Sequence, residues 1–327
     1  MNRRSGWTML VLLALVFSGS LSVQAEPDLS RETIRFGGRE RTFYLHLPPA
    51  SESAARLPVV LALHGGGKGD AAQLAAHTGF CELAGIEGFI AAFPNGADGQ
   101  WNDGRGRTYY KTDNTDVDDV GFISALIDRL VETHKGDPER IYVTGISNGG
   151  HMALRLCCEI SSKLAAIAPV CGNIPKNIHG KCAPGAPLSV LLMNGTEDPL
   201  VPWDGGAVRF FRKTMGEVVS TEQTVQFWVQ HNHCTPAPVV RELPDKDPRD
   251  GSSVRVSTYT GGDNGTEVVL YAIEGGGHNL PGSRIPERRR ITGRKNNDID
   301  GAEAIWNFFK THHRSNLSGI SNQVEHP

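Results

Sequence analysis

A short strand-forming run, Arg140-Ile141-Tyr142-Val143-Thr144, leads without a break into Gly145-Ile146-Ser147-Asn148-Gly149, and a helix-forming stretch begins near Asn148. Few folds accommodate strand, tight glycine turn and helix in that order with a serine at the apex. Glycines on both flanks are needed where a side chain would strike the neighbouring strand or helix, and the serine hydroxyl is then lifted above the edge of a sheet. The rest of the chain fits such a sheet. Continuous apolar runs at 58–63, 89–93, 165–170 and 188–193 read as strands buried on both faces, and 41–47 alternates like an early antiparallel strand. Between them 70–84, 120–134, 221–231 and 300–312 read as helices, the second carrying Phe122, Ile123, Leu126, Ile127, Leu130 and Val131 on one face. Runs at 254–259 and 268–273 read as the last two strands. Strands alternating with helices predict an α/β fold with a mostly parallel sheet covered on both sides.

The 327 residues carry a formal net charge of -3, so no positive field gathers phosphate backbones and nucleic acid is excluded as a partner class. Arg3 and Arg4 precede an apolar run over 9–17, and Val23-Gln24-Ala25 offers the small residues of a cleavage site, so residues 1–25 are expected to be a secretory signal. Ser18, Gly19, Ser20 and Ser22 interrupt the run too early for a membrane anchor, and the first cysteine, Cys81, stands too far on to carry a lipid there. A single catalytic domain is expected over 26–313, with a polar tail at 314–327 and secretion to the periplasm or the exterior. No repeat or linker divides it, and neither an obligate protein partner nor stable membrane association is expected.

The six cysteines, Cys81, Cys157, Cys158, Cys171, Cys182 and Cys234, then meet an oxidising compartment. Cys171 and Cys182 flank a loop with Gly172, Pro175 and Gly180, which favours a local Cys171–Cys182 staple among the many pairings possible. No Cys-x-x-Cys or His-x-x-x-His pair appears, so neither a metal nor another cofactor is expected.

A serine hydroxyl is a weak nucleophile until a base takes its proton. Among twelve histidines, His278 stands out in Glu274-Gly275-Gly276-Gly277-His278, just past an expected strand, where a loop brings an imidazole to the same edge. His64 opens His64-Gly65-Gly66-Gly67 directly after the first buried strand, the place of an oxyanion loop. The backbone amides of Gly66, Gly67 and Asn148 are therefore the expected donors, with His64 as an orienting residue. The carboxylate is expected at Asp198, which follows the strand and turn Leu191-Leu192-Met193-Asn194-Gly195-Thr196-Glu197; Glu197 and Asp204 are near alternatives. Asp118 and Asp119 are expected to cap the helix that follows them. Trp101 and Trp203 are candidates for the substrate cleft.

Leu63-His64-Gly65-Gly66-Gly67, Phe93-Pro94-Asn95-Gly96, Trp101-Asn102, Val117-Asp118-Asp119-Val120-Gly121-Phe122, Tyr142 to Gly150, Asn194 to Asp198 and Gly275 to His278 together resemble the polyhydroxybutyrate depolymerase-like and feruloyl esterase proteins of carbohydrate esterase family 1. The likeness covers roughly residues 33–309. It implies the α/β-hydrolase fold, the triad Ser147, Asp198 and His278, and ester hydrolysis through an acyl-enzyme without a cofactor. Feruloyl or acetyl esters of polysaccharide, or short polyhydroxyalkanoate esters, are the implied substrates; a serine peptidase or acyl transferase is the alternative on the same fold. Such proteins often continue from the histidine as Thr-Trp-Pro-Gly, whereas this chain has Asn279-Leu280-Pro281-Gly282.

Overall fold

The computed structural model describes residues 28–52, 55–67, 69–106 and 116–314. The expected signal at 1–25 lies outside them, as does all but the first residue of the expected tail. Arg314 is tied down, its amide donating to the Glu139 carbonyl at 2.8 Å.

In chain order the strands are β1 (Ser30–Phe36), β2 (Arg39–His46), β3 (Leu57–Leu63), β4 (Ile90–Pro94), β5 (Gly136–Ile146), β6 (Ala166–Val170), β7 (Ser189–Gly195), β8 (Gly206–Phe210), β9 (Lys213–Val218), β10 (Val239–Glu242), β11 (Ser253–Tyr259) and β12 (Val268–Glu274). The helices are α1 (Ala71–Thr78), α2 (Phe80–Glu87), α3 (Asp119–Thr133), α4 (Asn148–Ile160), the single turn α5 (Lys176–His179), α6 (Thr221–His231), the single turn α7 (Arg289–Thr292) and α8 (Gly301–Phe309). Ten strands form one sheet in the order β1-β2-β4-β3-β5-β6-β7-β12-β11-β10, and β8 and β9 pair as a separate hairpin. From β4 to β12 all neighbours are parallel, while β1, β2, β11 and β10 extend the two edges antiparallel.

Both faces of β3 are buried, and its residues divide by parity. Val59, Leu61 and Leu63 pack in one layer with Leu126 and Leu130 of α3 and Trp228 of α6. Val60 and Ala62 pack in the other with Leu74 of α1, Phe80 of α2 and Trp306 and Phe309 of α8. Each such aliphatic side chain contributes about 1.5–3 kcal/mol by leaving water, which is why the inner strands read as unbroken apolar runs.

The expected helix over 70–84 is two helices. Gly79 takes φ 82°, ending α1 and turning the chain into α2, a left-handed conformation that glycine adopts without penalty. The disulfide also differs from the expected staple: Cys158 pairs with Cys182, with Cα atoms 4.9 Å apart. Cys158 lies near the end of α4, within reach of the loop after α5, whereas Cys171 ends β6 and turns into the interior. Cys81, Cys157, Cys171 and Cys234 remain buried thiols.

Asp118 caps α3 as expected, accepting from the Gly121 amide at 2.8 Å. Asp119 does more than cap. It is fully buried, 2.6 Å from the Arg41 guanidinium of β2, and also accepts from the Asn102 amide at 2.7 Å. Burial pushes its carboxyl above the usual range even against the pull of Arg41.

β3 connects outward to β4, and the chain then returns across β3 to β5, so the direction of winding reverses between β3 and β5. Crevices in open α/β sheets form where the order reverses, at the carboxyl ends of the strands. His64 leaves β3 and Ser147 leaves β5 at that edge.

Candidate active site

Ser147 occupies the turn between β5 and α4 with φ 60° and ψ −116°, a left-handed conformation unusual for a residue with a side chain. The turn is held by the Ser147 amide donating to the Val170 carbonyl of β6 at 2.9 Å and by the His151 amide donating to the Ser147 carbonyl at 2.9 Å. The flanking glycines are required by space: a Cβ on Gly145 would lie 2.5 Å from the Gly149 carbonyl oxygen, and one on Gly149 would lie 2.2 Å from that of Leu63.

Asp198 and His278 meet although eighty positions separate them. His278 Nδ1 lies 2.7 Å from Asp198 Oδ2, with the two side chains 8% and 3% exposed. The other carboxylate oxygen accepts from the amides of Leu200 at 2.8 Å and Val201 at 2.9 Å, so Asp198 is fixed before it meets the imidazole. Neither alternative acid is so placed, since Glu197 pairs with Arg294 at 2.8 Å and Asp204 is exposed. Burial alone would strip the proton from His278. The adjoining Asp198 carboxylate, with Cys171 adding to it, outweighs burial, and the imidazole holds its proton well above the ordinary histidine range.

Ser147 and His278 line one cavity of about 410 Å³, together with Gly65, Gly66, Gly67 and Asn148. The space around the glycine loop is full: a Cβ on Gly66 would lie 2.9 Å from the Gln100 side chain, and Gly67 takes φ 85°. His64 orients this loop. Its Nε2 accepts from the Gly96 amide at 2.9 Å, its Nδ1 lies 2.8 Å from the Gly65 carbonyl oxygen, and burial lowers its affinity for a second proton. A neutral ring with Nδ1 as donor satisfies both contacts.

Trp101 does not line the cavity. It is 2% exposed and sits behind the glycine loop, its indole N–H donating to the His64 carbonyl at 3.0 Å. Trp203 is also absent from the wall. The apolar lining comes instead from Leu200, Val208, Phe210, Met215, Leu280 and Ile285. Three of these, Val208, Phe210 and Met215, are drawn from the β8–β9 hairpin, whose short and mostly exposed strands carry no periodic signal in the sequence.

Cys171, expected in a disulfide, instead stands as a thiol at the site. It follows β6 with φ 50°, and its Sγ lies with one polar atom each of Asp198 and His278 inside a 4.8 Å cluster. Burial raises its thiol pKa, so it stands beside the pair as a neutral group near neutral pH. Its position at the end of a buried strand is the same signal that marked Asp198.

The esterase PHB depolymerase family model matches residues 41–212. The NocK protein of Nocardia uniformis subsp. tsuyamanensis, which carries an esterase name, is 30% identical over 87% of this chain and 83% of its own length. Feruloyl esterase C of Emericella nidulans is 24% identical over 87% of this chain and 88% of its own. Feruloyl esterase B of Piromyces equi is 31% identical over 64% of this chain, which spans only 37% of that protein. Among solved structures, the acetyl xylan esterase from Aspergillus awamori superposes with a TM-score of 0.53 at 13% identity, covering 86% of this chain and 99% of its own, a likeness of fold. With a parallel sheet of this order and a match that runs from β2 to the hairpin, the chain belongs to the esterase PHB depolymerase family of carboxylic ester hydrolases, built on the α/β-hydrolase fold.

Proposed function

We propose that the protein is a secreted serine hydrolase that cleaves carboxylic esters through an acyl-enzyme, with Ser147 as nucleophile, His278 as general base and acid, and Asp198 as its orienting carboxylate. The 2.7 Å contact between His278 Nδ1 and Asp198 Oδ2, on the rim of the cavity that Ser147 lines, carries the reading. Fixed at Nδ1, the imidazole presents Nε2 as the atom that takes the Ser147 proton as Oγ attacks the ester carbonyl. Negative charge then grows on the carbonyl oxygen. The amides of Gly66, Gly67 and Asn148 stabilise it, each such donor being worth about 2.7–4 kcal/mol in comparable sites. Collapse breaks the ester C–O bond, His278 returns the proton to the leaving alcohol, and Ser147 is left acylated. Water, deprotonated by the same imidazole, releases the acid and restores the serine.

Relatives named feruloyl esterase and acetylxylan esterase favour feruloyl or acetyl esters of polysaccharide, and the family name favours short hydroxyalkanoate esters. Among the described residues no helix is long and apolar enough to cross a membrane, and the leader-like residues 1–25 support export. Purified protein assayed on 4-nitrophenyl acetate and butyrate, methyl ferulate, hydroxybutyrate oligomers and peptide 4-nitroanilides tests this. Ester turnover that vanishes in Ser147→Ala is expected; amide cleavage without ester preference would contradict it.

A further inference from the structure

The cavity that Ser147 and His278 share has a charge asymmetry that its apolar walls do not explain. Among the described residues three arginines line it, Arg105, Arg209 and Arg288, and no aspartate or glutamate does. Arg105 is neutralised from behind by Asp103 at 2.6 Å, and both side chains are buried. Arg209 and Arg288 are both exposed, one on β8 and one at the start of α7, and among the described residues neither forms a salt bridge. This basic lining stands on a chain whose net charge is -3. Glu217, on the neighbouring strand β9, pairs with Lys176 at 2.8 Å.

A cleft lined by one sign of charge over low-dielectric walls concentrates ligands of the opposite sign, and a guanidinium matches a carboxylate in shape and donor spacing. Leu200, Val208, Phe210 and Met215 meanwhile supply a surface for carbon. The geometry points to an ester whose acyl or alcohol part carries a carboxylate, gripped between Arg209 and Arg288 while the ester carbonyl reaches Ser147. This rests on the reading of Ser147 and His278 as the reacting groups and narrows the substrate to an anionic class.

Two matched pairs of esters test it: mono-4-nitrophenyl adipate against 4-nitrophenyl hexanoate for a carboxylate in the acyl part, and 4-acetoxybenzoate against 4-acetoxybenzamide for one in the alcohol part. In at least one pair, kcat/KM for the charged ester exceeds that for the neutral one by about tenfold, chiefly through KM, and 0.5 M NaCl erodes the advantage because salt screens exposed charge. Arg209→Gln and Arg288→Gln each lower the charged-to-neutral ratio several-fold, and the double variant brings it near one. Ratios at or below one in both pairs, or a ratio that survives the double substitution, overturn the assignment while leaving ester hydrolysis intact. Failure to hydrolyse any of the four esters removes the reading of Ser147 and His278 as well.

Discussion

Asn148 grips both backbone polar groups of Trp101: the Trp101 amide donates to Asn148 Oδ1 at 2.8 Å, and Asn148 Nδ2 donates to the Trp101 carbonyl at 3.0 Å. The same Nδ2 also donates to Asp103 at 2.6 Å. The residue after the serine is thereby locked to the segment behind the glycine loop, and the amide proposed to meet the oxyanion is held still. Asn148→Ala leaves several buried polar groups without partners, at a cost of about 2–4 kcal/mol in stability. Urea unfolding reads that loss. Ester kinetics should show kcat falling more than KM rises, since only the amide's aim at developing charge is disturbed.

The Arg41–Asp119 pair ties β2 to the start of α3 in the core, with the guanidinium 3.9 Å from the centre of the Phe122 ring. Asp119→Ala strands a buried cation and should cost about 3–5 kcal/mol, whereas Asp118→Ala removes only an exposed cap and should cost about 1 kcal/mol. Equal shifts of the urea midpoint in the two variants would refute the distinction.

His278 can act as a base only when neutral, and Asp198 holds its proton well above the ordinary histidine range. Activity should therefore climb with pH through an apparent pKa above about 6.5, and fall away below it. Asp198→Asn removes the opposing charge and leaves the burial, so the acid limb moves to lower pH while the maximal rate drops by about 10,000-fold through a misoriented ring. A pH profile of kcat/KM for both proteins checks the direction as well as the size.

The Cys158–Cys182 bridge closes a loop of 24 positions and should contribute about 3 kcal/mol by restricting the unfolded chain. Alkylation in denaturant without reductant should modify Cys81, Cys157, Cys171 and Cys234. Labelling of Cys158 in place of Cys171 would restore the pairing expected from loop length.

The inner sheet was legible because β3, β4, β6 and β7 are buried on both faces and must be apolar throughout. The elbow, the glycine loop and the order of serine, acid and histidine could be read from residues that end such strands. Tertiary proximity could not. The role of Asp119 depends on Arg41, seventy-eight positions away, and Trp101 looked like a cleft residue until the glycine loop closed over it. The β8–β9 hairpin escaped because its mixed, largely exposed residues follow no clean period of two, and the edge strand β1 because it is exposed or half-buried throughout and offers only Ile34 and Phe36 as apolar marks.

The most direct test of the account is covalent. Diisopropyl fluorophosphate reacts with a serine only where a base activates it and a site accepts the phosphorus centre. Peptide mapping by mass spectrometry after inactivation should find one diisopropylphosphoryl group on Ser147, with little labelling in His278→Ala. Full inactivation with the label on another residue, or undiminished labelling of Ser147 without the imidazole, would contradict the assignment of these three side chains.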